Sequence, residues 1–234
     1  MCHRRYSFKN GILDFLGKGE ETEVITPFQR LMQFPPVTAI YERYWRPLGF
    51  FIASSASFGQ FSEQLIELMD PSEQKISLDL ACGPGLFTCP MARRTSGWVI
   101  GFDLSMPMLL RAARKAEAQR LSNVMFVRGS AFRLPFRDSA FSATLCSGAL
   151  HLFDRPDLAL GEIGRTLLPE GRLVCQTTIK PKHSAGIAFF LDRVIRFGFF
   201  KSPGQLIEKL RLAGMALDEE LCYRIIYVFR AHRI

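Results

Sequence analysis

Ile76-Ser-Leu-Asp-Leu-Ala-Cys-Gly-Pro-Gly-Leu86, followed by Trp98-Val-Ile-Gly-Phe-Asp103, decides the fold. A short apolar strand runs into a Gly-x-Gly turn, and a second strand ends in an acid 20 positions after Gly83. Gly83 and Gly85 allow the backbone to turn tightly and to approach a ligand that a side chain would block. A helix expected near Leu86 would aim unpaired N–H groups at the same place. Asp79, at the end of the first strand, suits a cationic group or orders the turn, and Asp103 is placed to take both hydroxyls of a ribose. Together these are the layout of a nucleoside pocket at the mouth of a parallel sheet.

Outward from that stretch the chain alternates. Strands are predicted over 76–80, 98–102, 124–128, 141–146 and 172–178. Helices are predicted over 86–95, 106–120 and 156–167, the second capped by Ser105 with Pro107 in its first turn. This alternation predicts a parallel sheet with right-handed crossovers. Ser202-Pro203 opens a further helix, and 217–222 with 224–231 read as an edge hairpin. Residues 1–70 read as a helical leader or cap, with helical spacing over 60–69 and breaks at Pro35-Pro36 and Pro71. Residues 71–234 read as the main domain, with an inserted segment at 180–200.

Composition limits the class. A chain of 234 residues holds one full α/β domain. Thirty Lys and Arg against 22 Asp and Glu give a net charge of +8, but the basic residues are scattered, with His3-Arg4-Arg5 the tightest cluster. No dense basic stripe marks a nucleic-acid binder, and none is expected as partner. The six cysteines form no C-x-x-C pair and read as reduced thiols of a cytoplasmic protein. No run of 18 apolar residues spans a membrane and no leader peptide is expected. The four histidines lack metal-site spacing, so no metal is implied.

The ligand choice turns on what is missing. A dinucleotide fingerprint wants a third glycine where Thr88 stands, and a P-loop wants Gly-Lys-Ser/Thr, which is absent. A ribose with a methionine-like tail needs no pyrophosphate site, which favours S-adenosylmethionine. On these residues the chain resembles the class I S-adenosylmethionine-dependent methyltransferases, within them the small-molecule group (type 11) that includes the quinone C-methyltransferases.

The resemblance is closest over 76–178. Leu78-Asp-Leu-Ala-Cys-Gly-Pro-Gly85 is similar to the family's first motif, with Ala81 in place of its usual Gly. Asp103-Leu-Ser-x-x-Met108 is similar to the second, which implies Asp103 on the ribose and Leu104 beside adenine. Gly129-Ser130-Ala131-x-x-Leu134-Pro-Phe136 resembles the stretch that closes over adenine, with Ser130 where Asp or Asn is usual. Cys146-Ser147-Gly-Ala-Leu-His151 resembles the strand that runs beside the methionine end. Glu162-Ile-Gly-Arg165-x-Leu-Leu-Pro-Glu-Gly171 resembles the next helix and turn, with Glu170 in place of Gly. The implied fold is Rossmann-like: seven mostly parallel strands, helices on both faces and a terminal antiparallel hairpin. Asp79, Ala81, Cys82, Gly83, Gly85, Asp103, Leu104, Met108, Ser130, Ala131 and Ser147 are the implied cofactor residues.

Methyl transfer asks the protein for alignment, exclusion of water and sometimes a base. His151, at the carboxyl edge after the fourth strand, is the candidate base, against the plainer reading of a histidine that shapes its loop. Tyr41, Tyr44, Trp45, Phe58, His151, His183 and Phe190 are candidate acceptor contacts. Segment 184–200 reads as a hydrophobic lid, as a packing or dimer face, or as a peripheral membrane contact through Arg193 and Arg196. The chain is expected to act as a monomer or homodimer on a hydrophobic or aromatic small molecule. Rival readings are a nucleic-acid or protein methyltransferase and a non-catalytic S-adenosylmethionine-binding partner. Cys146-Ser-Gly-Ala stands where amino-methylating relatives carry Asn/Asp-Pro-Pro-Tyr/Phe, which opposes base N-methylation.

Overall fold

The computed structural model describes residues 6–16, 57–70, 75–180 and 200–234. Tyr41, Tyr44, Trp45, His183, Phe190 and residues 184–199 of the inserted segment lie outside the described residues.

The central strands β3 (Ile76–Leu80), β4 (Trp98–Asp103), β5 (Val124–Arg128), β6 (Phe141–Ser147) and β7 (Leu167–Thr178) form as expected. Their neighbours along the sheet are parallel. Beyond β7 the antiparallel hairpin β8 (Met215–Tyr223) and β9 (Ile226–Arg233) completes one edge, with β9 against β7. Leu78, Leu80, Leu145, Cys146, Leu173, Val174 and Cys175 are fully or almost fully buried. Burial of consecutive residues, the polar Ser77 and Asp79 included, arises when helices cover a parallel sheet on both faces.

Among the described residues two strands exceed the predicted seven. Within the stretch read as a helical leader, β1 (Ser7–Lys9) and β2 (Ile12–Asp14) form a hairpin. β2 adds in parallel to β5, which gives the order β1-β2-β5-β4-β3-β6-β7-β9-β8. The hairpin turns through Asn10 and Gly11, both at positive φ (54° and 74°). Two left-handed residues in a row are what a two-residue turn needs to match strand twist, and Asn-Gly supplies them. Ile12 buries against α3 (Met106–Ala118), and Asp14 pairs with Arg128 at 3.3 Å.

On one face, α1 (Phe58–Met69) and α2 (Thr88–Ala92) pack Phe61, Leu65, Ile66 and Met91 on the sheet, and α3 adds Leu109, Ala112 and Ala116. On the other, α4 (Pro156–Thr166) and α5 (Pro203–Leu212) pack Leu160, Ile163, Leu206 and Leu210. Ser202 caps α5, accepting from the Gln205 N–H at 3.3 Å.

Three local expectations change. The helix expected over 86–95 is only five residues long. The glycine turn occupies its first residues. At its far end the Asn123 side-chain amide donates to the carbonyls of Ala92, Thr95 and Gly97 at 2.9, 3.0 and 2.9 Å, which holds the chain in a turn. So short a helix carries little dipole. Ser105 stands at the start of α3 without capping it; its hydroxyl is buried without a partner. β7 begins at Leu167 rather than 172, because Leu167 already pairs with Phe141 ahead of an irregularity in register.

Candidate cofactor site

Asp79, Asp103, Ser147 and the end of β7 all reach the carboxyl edge of the parallel strands, where open α/β sheets bind ligands. The edge is tied together through Asp103. One carboxylate oxygen accepts from the Gly83 N–H at 2.8 Å and the other from the Ser105 N–H at 2.8 Å. The Cys82 N–H donates to the Phe102 carbonyl at 3.1 Å, and Gly129 N–H to that of Asp103 at 3.2 Å. The acid therefore joins the glycine turn, the start of α3 and the loop after β5. Burial raises the Asp103 pKa, and the bonds from Ser105 and Gly83 oppose that shift. Each oxygen keeps a lone pair after its backbone bond, which suits two vicinal hydroxyls.

The glycine turn leaves room above itself. Gly83 and Gly85 sit at φ 53° and 74°. A Cβ at Gly83 would meet no atom within 4 Å, whereas one at Gly85 would meet the Ala112 Cβ at 3.1 Å. One glycine faces open space at the sheet edge and the other permits the turn to press on α3. Ala81, where the resembling family has Gly, is itself left-handed at φ 57°. Thr88, where a dinucleotide site would want glycine, donates from its hydroxyl to the buried Asp79 carboxylate at 2.5 Å. Its side chain orients the acid of the first strand, a role that the missing glycine did not suggest. Burial, then Asp79 and Asp103, push the Cys82 thiol pKa well up, so it stays protonated. These features fit S-adenosylmethionine: a cradle a Cβ would fill, an acid for the ribose, and a second acid, Asp79, for a cationic end.

The remaining residues spread around that edge. Leu104 and Met108 are half-buried at the start of α3. Ser130 accepts from the Phe132 N–H at 3.2 Å, which commits one lone pair of its hydroxyl to its own loop. Ala131 is buried among Phe102, Leu134 and Phe141 in the same core cluster. Ser147 donates to the Gln176 side chain at 3.2 Å. His151, in a 3-10 turn (Leu150–Leu152), lies 3.3 Å through Nδ1 from the Thr177 hydroxyl. Desolvation lowers its pKa to about 3, against the near-neutral value assumed for a base. Phe58 packs edge-on to Phe87, directly after the glycine turn, with ring centroids 6.4 Å apart. Gln176 and Thr177, buried partners of Ser147 and His151, went unnoticed in the sequence; their only signal is their place at the end of β7. Among the described residues no group of acidic, His and Cys side chains is arranged to hold a metal, and no helix is long and apolar enough to cross a membrane.

A family model described as a methyltransferase domain matches residues 78–171. The chain is 36% identical over 148 residues to the demethylmenaquinone methyltransferase of Thermus thermophilus, a match covering 60% of this chain and 67% of that one. It is 42% identical over 108 residues to that of Lactiplantibacillus plantarum, covering 44% and 45%. Against most of these curated relatives it spans about half their length. Among solved structures, geranyl diphosphate C-methyltransferase from Streptomyces coelicolor A3(2) superposes with a TM-score of 0.67 at 16% identity, covering 75% of this chain and 79% of that one. The [4+2]-cyclase SpnF gives 0.66 at 22%, covering 74% and 80%. At such identities these likenesses concern the fold alone.

Proposed function

The chain belongs to the class I S-adenosylmethionine-dependent methyltransferases, and we propose that it methylates a hydrophobic or aromatic small molecule of the quinone, phenol or polyketide kind. The observation that carries the reading is the likeness to proteins named for methylating a demethylmenaquinone, which reaches 67% of the Thermus protein's length.

S-adenosylmethionine, when bound, supplies a methyl group on a sulfonium, which an electron-rich atom can take directly. In this reading Asp103 holds the ribose hydroxyls, Gly83 admits the ligand to the backbone, and Asp79, oriented by Thr88, faces the cationic end. Leu104, Met108 and Ala131 keep water from the adenine side. Ser147 lines the methionine side. His151 faces the acceptor. Burial keeps its imidazole neutral, the form that takes up a proton, and also makes it a weak base. Such a group serves an acceptor activated by its own ring better than one that must be deprotonated before attack, which favours methylation at an electron-rich ring carbon over oxygen. Tyr41, Tyr44, Trp45, Phe58, His183 and Phe190 are proposed to complete the acceptor wall, with 184–200 as lid.

The test is a methylation screen of reduced naphthoquinones, simple phenols and aromatic polyketides with mass detection of the product. A methylated quinol supports the reading. Methyl transfer to nucleic acid or protein, with none to any small acceptor, overturns it.

A further inference from the structure

The loop after β5 carries the residues assigned to the adenine side; its first turn closes on Ser130, but the stretch from Leu134 onward is held from outside. Glu162 and Arg165, one turn apart on α4, grip it through its backbone. The Leu134 N–H donates to Glu162 Oε2 at 2.6 Å. Arg165 Nη2 donates to the Leu134 carbonyl at 3.1 Å, and Nη1 to the Phe136 carbonyl at 2.8 Å and to Asp138 Oδ1 at 2.7 Å. The two side chains fix each other in a two-pronged pair, Nε to Oε1 at 2.8 Å and Nη2 to Oε2 at 2.7 Å. A planar guanidinium can serve four acceptors at once in a way that an ammonium cannot. Between the two gripped carbonyls lies Pro135, which has no N–H to offer a fold of its own. Phe136, at the end of the gripped stretch, packs on Phe102 with centroids 5.8 Å apart, and Phe102 belongs to the strand that delivers Asp103.

We propose that Arg165 and Glu162 are positioning residues for the cofactor: they hold Leu134–Phe136, and through them Ser130 and Ala131, in the geometry that receives the adenine ring. The proposal rests on the cofactor assignment above and not on the identity of the acceptor. Neither residue touches the ligand. Without the grip the loop samples other conformations, and affinity falls by the fraction of time that it spends in the competent one.

The test is calorimetric binding of S-adenosylhomocysteine to the full chain, below the unfolding midpoint of every variant. Arg165→Gln is compared with Asn123→Ala, which removes the strut at the opposite, amino end of the sheet. If the competent loop is populated about a tenth of the time, Arg165→Gln weakens binding about tenfold. Arg165→Lys, keeping charge without the fork, falls between it and the wild type. Glu162→Gln, a second variant that preserves shape, weakens binding in the same direction. Asn123→Ala lowers the midpoint but stays within about twofold in affinity, since a thermal loss alone does not touch the loop. Amide exchange at Leu134 quickens in the free Arg165→Gln protein and slows again when ligand binds. Wild-type affinity in both Arg165→Gln and Glu162→Gln, or equal losses in Arg165→Gln and Asn123→Ala, overturns the proposal alone. A wild-type chain that takes up no S-adenosylhomocysteine overturns the cofactor assignment as well.

Discussion

Replacing Gly83 and Gly85 by alanine, one at a time, separates what the turn does for the fold from what it does for the ligand. Both glycines are left-handed, at 53° and 74°. An L-residue there costs about 1–2 kcal/mol, partly offset because alanine loses about 0.5–1 kcal/mol less chain entropy on folding. Gly83→Ala therefore destabilises by about 0.5–1 kcal/mol, because its Cβ would meet nothing within 4 Å. Gly85→Ala carries the same strain and adds contacts at 3.1 Å to Cβ and 3.4 Å to Cα of Ala112, where α3 must give way. Overpacking of that kind brings the loss to about 2–3 kcal/mol. In a domain of this size each kcal/mol moves the midpoint by about 2–4 °C, so thermal denaturation without ligand ranks Gly85→Ala as much the worse. Binding ranks them the other way. With the open space above Gly83 proposed as the cofactor's cradle, a methyl group in it weakens S-adenosylhomocysteine by about 10–100-fold, whereas the Gly85 methyl points at α3 and costs threefold or less. A Gly83→Ala protein that binds as the wild type does, or a Gly85→Ala protein that loses more affinity than it, refutes the placement of the ligand.

Four other outcomes are expected. Asp103→Ala removes the acceptor of two backbone bonds and, in the proposed site, of the ribose hydroxyls; S-adenosylhomocysteine affinity falls by at least about 100-fold in calorimetry, because bonds to a charged group contribute about 1.5–3 kcal/mol each. His151 has a folded pKa of about 3, below its ordinary 6.5, so the unfolded chain takes up the proton first. Its contribution is whole above pH 6.5 and is lost as pH falls toward 3, at about 1 kcal/mol per pH unit, and His151→Gln flattens that acid slope in urea unfolding. Thr144→Val replaces a fully buried hydroxyl without a partner by a methyl of the same shape and raises stability by about 1 kcal/mol in the same assay. Ala81→Gly and Glu170→Gly relieve φ values of 57° and 60° and stabilise by about 0.5–1 kcal/mol each, read as a higher midpoint.

Those last two positions show where the sequence speaks and where it falls silent. Ala81 and Glu170 are the places where the chain departs from the family's glycines, and both hold the left-handed backbone that glycine would hold without strain. The departure was legible, but its cost was not, because a side chain does not announce its own φ. The parallel strands were legible for the opposite reason: β3 to β7 recur as short, mostly apolar stretches separated by helical or turn segments, the rhythm of a covered parallel sheet. The hairpin at the other edge was legible in principle through Asn10-Gly11, yet β1 is only three residues long and exposed throughout, so no alternation marks it. The short α2 was overestimated because its end is set by Asn123, some 30 residues away in sequence.

The site divides along the same line. The place of Asp103 at the end of β4 could be read from spacing, since the end of the strand follows from its pattern; its hold on a ribose belongs to the proposal. Gln176, Thr177 and Arg165 could not, since each acts through a partner that only the folded sheet brings near. His151 illustrates the gap: its place after β6 was readable, but its low pKa depends on what the fold packs around it. On the proposal that His151 faces the acceptor, an imidazole kept neutral by burial is a weak base. Under that proposal the acceptor brings its own nucleophilicity. An electron-rich quinol ring meets that requirement, which is the reason for proposing methylation at a ring carbon.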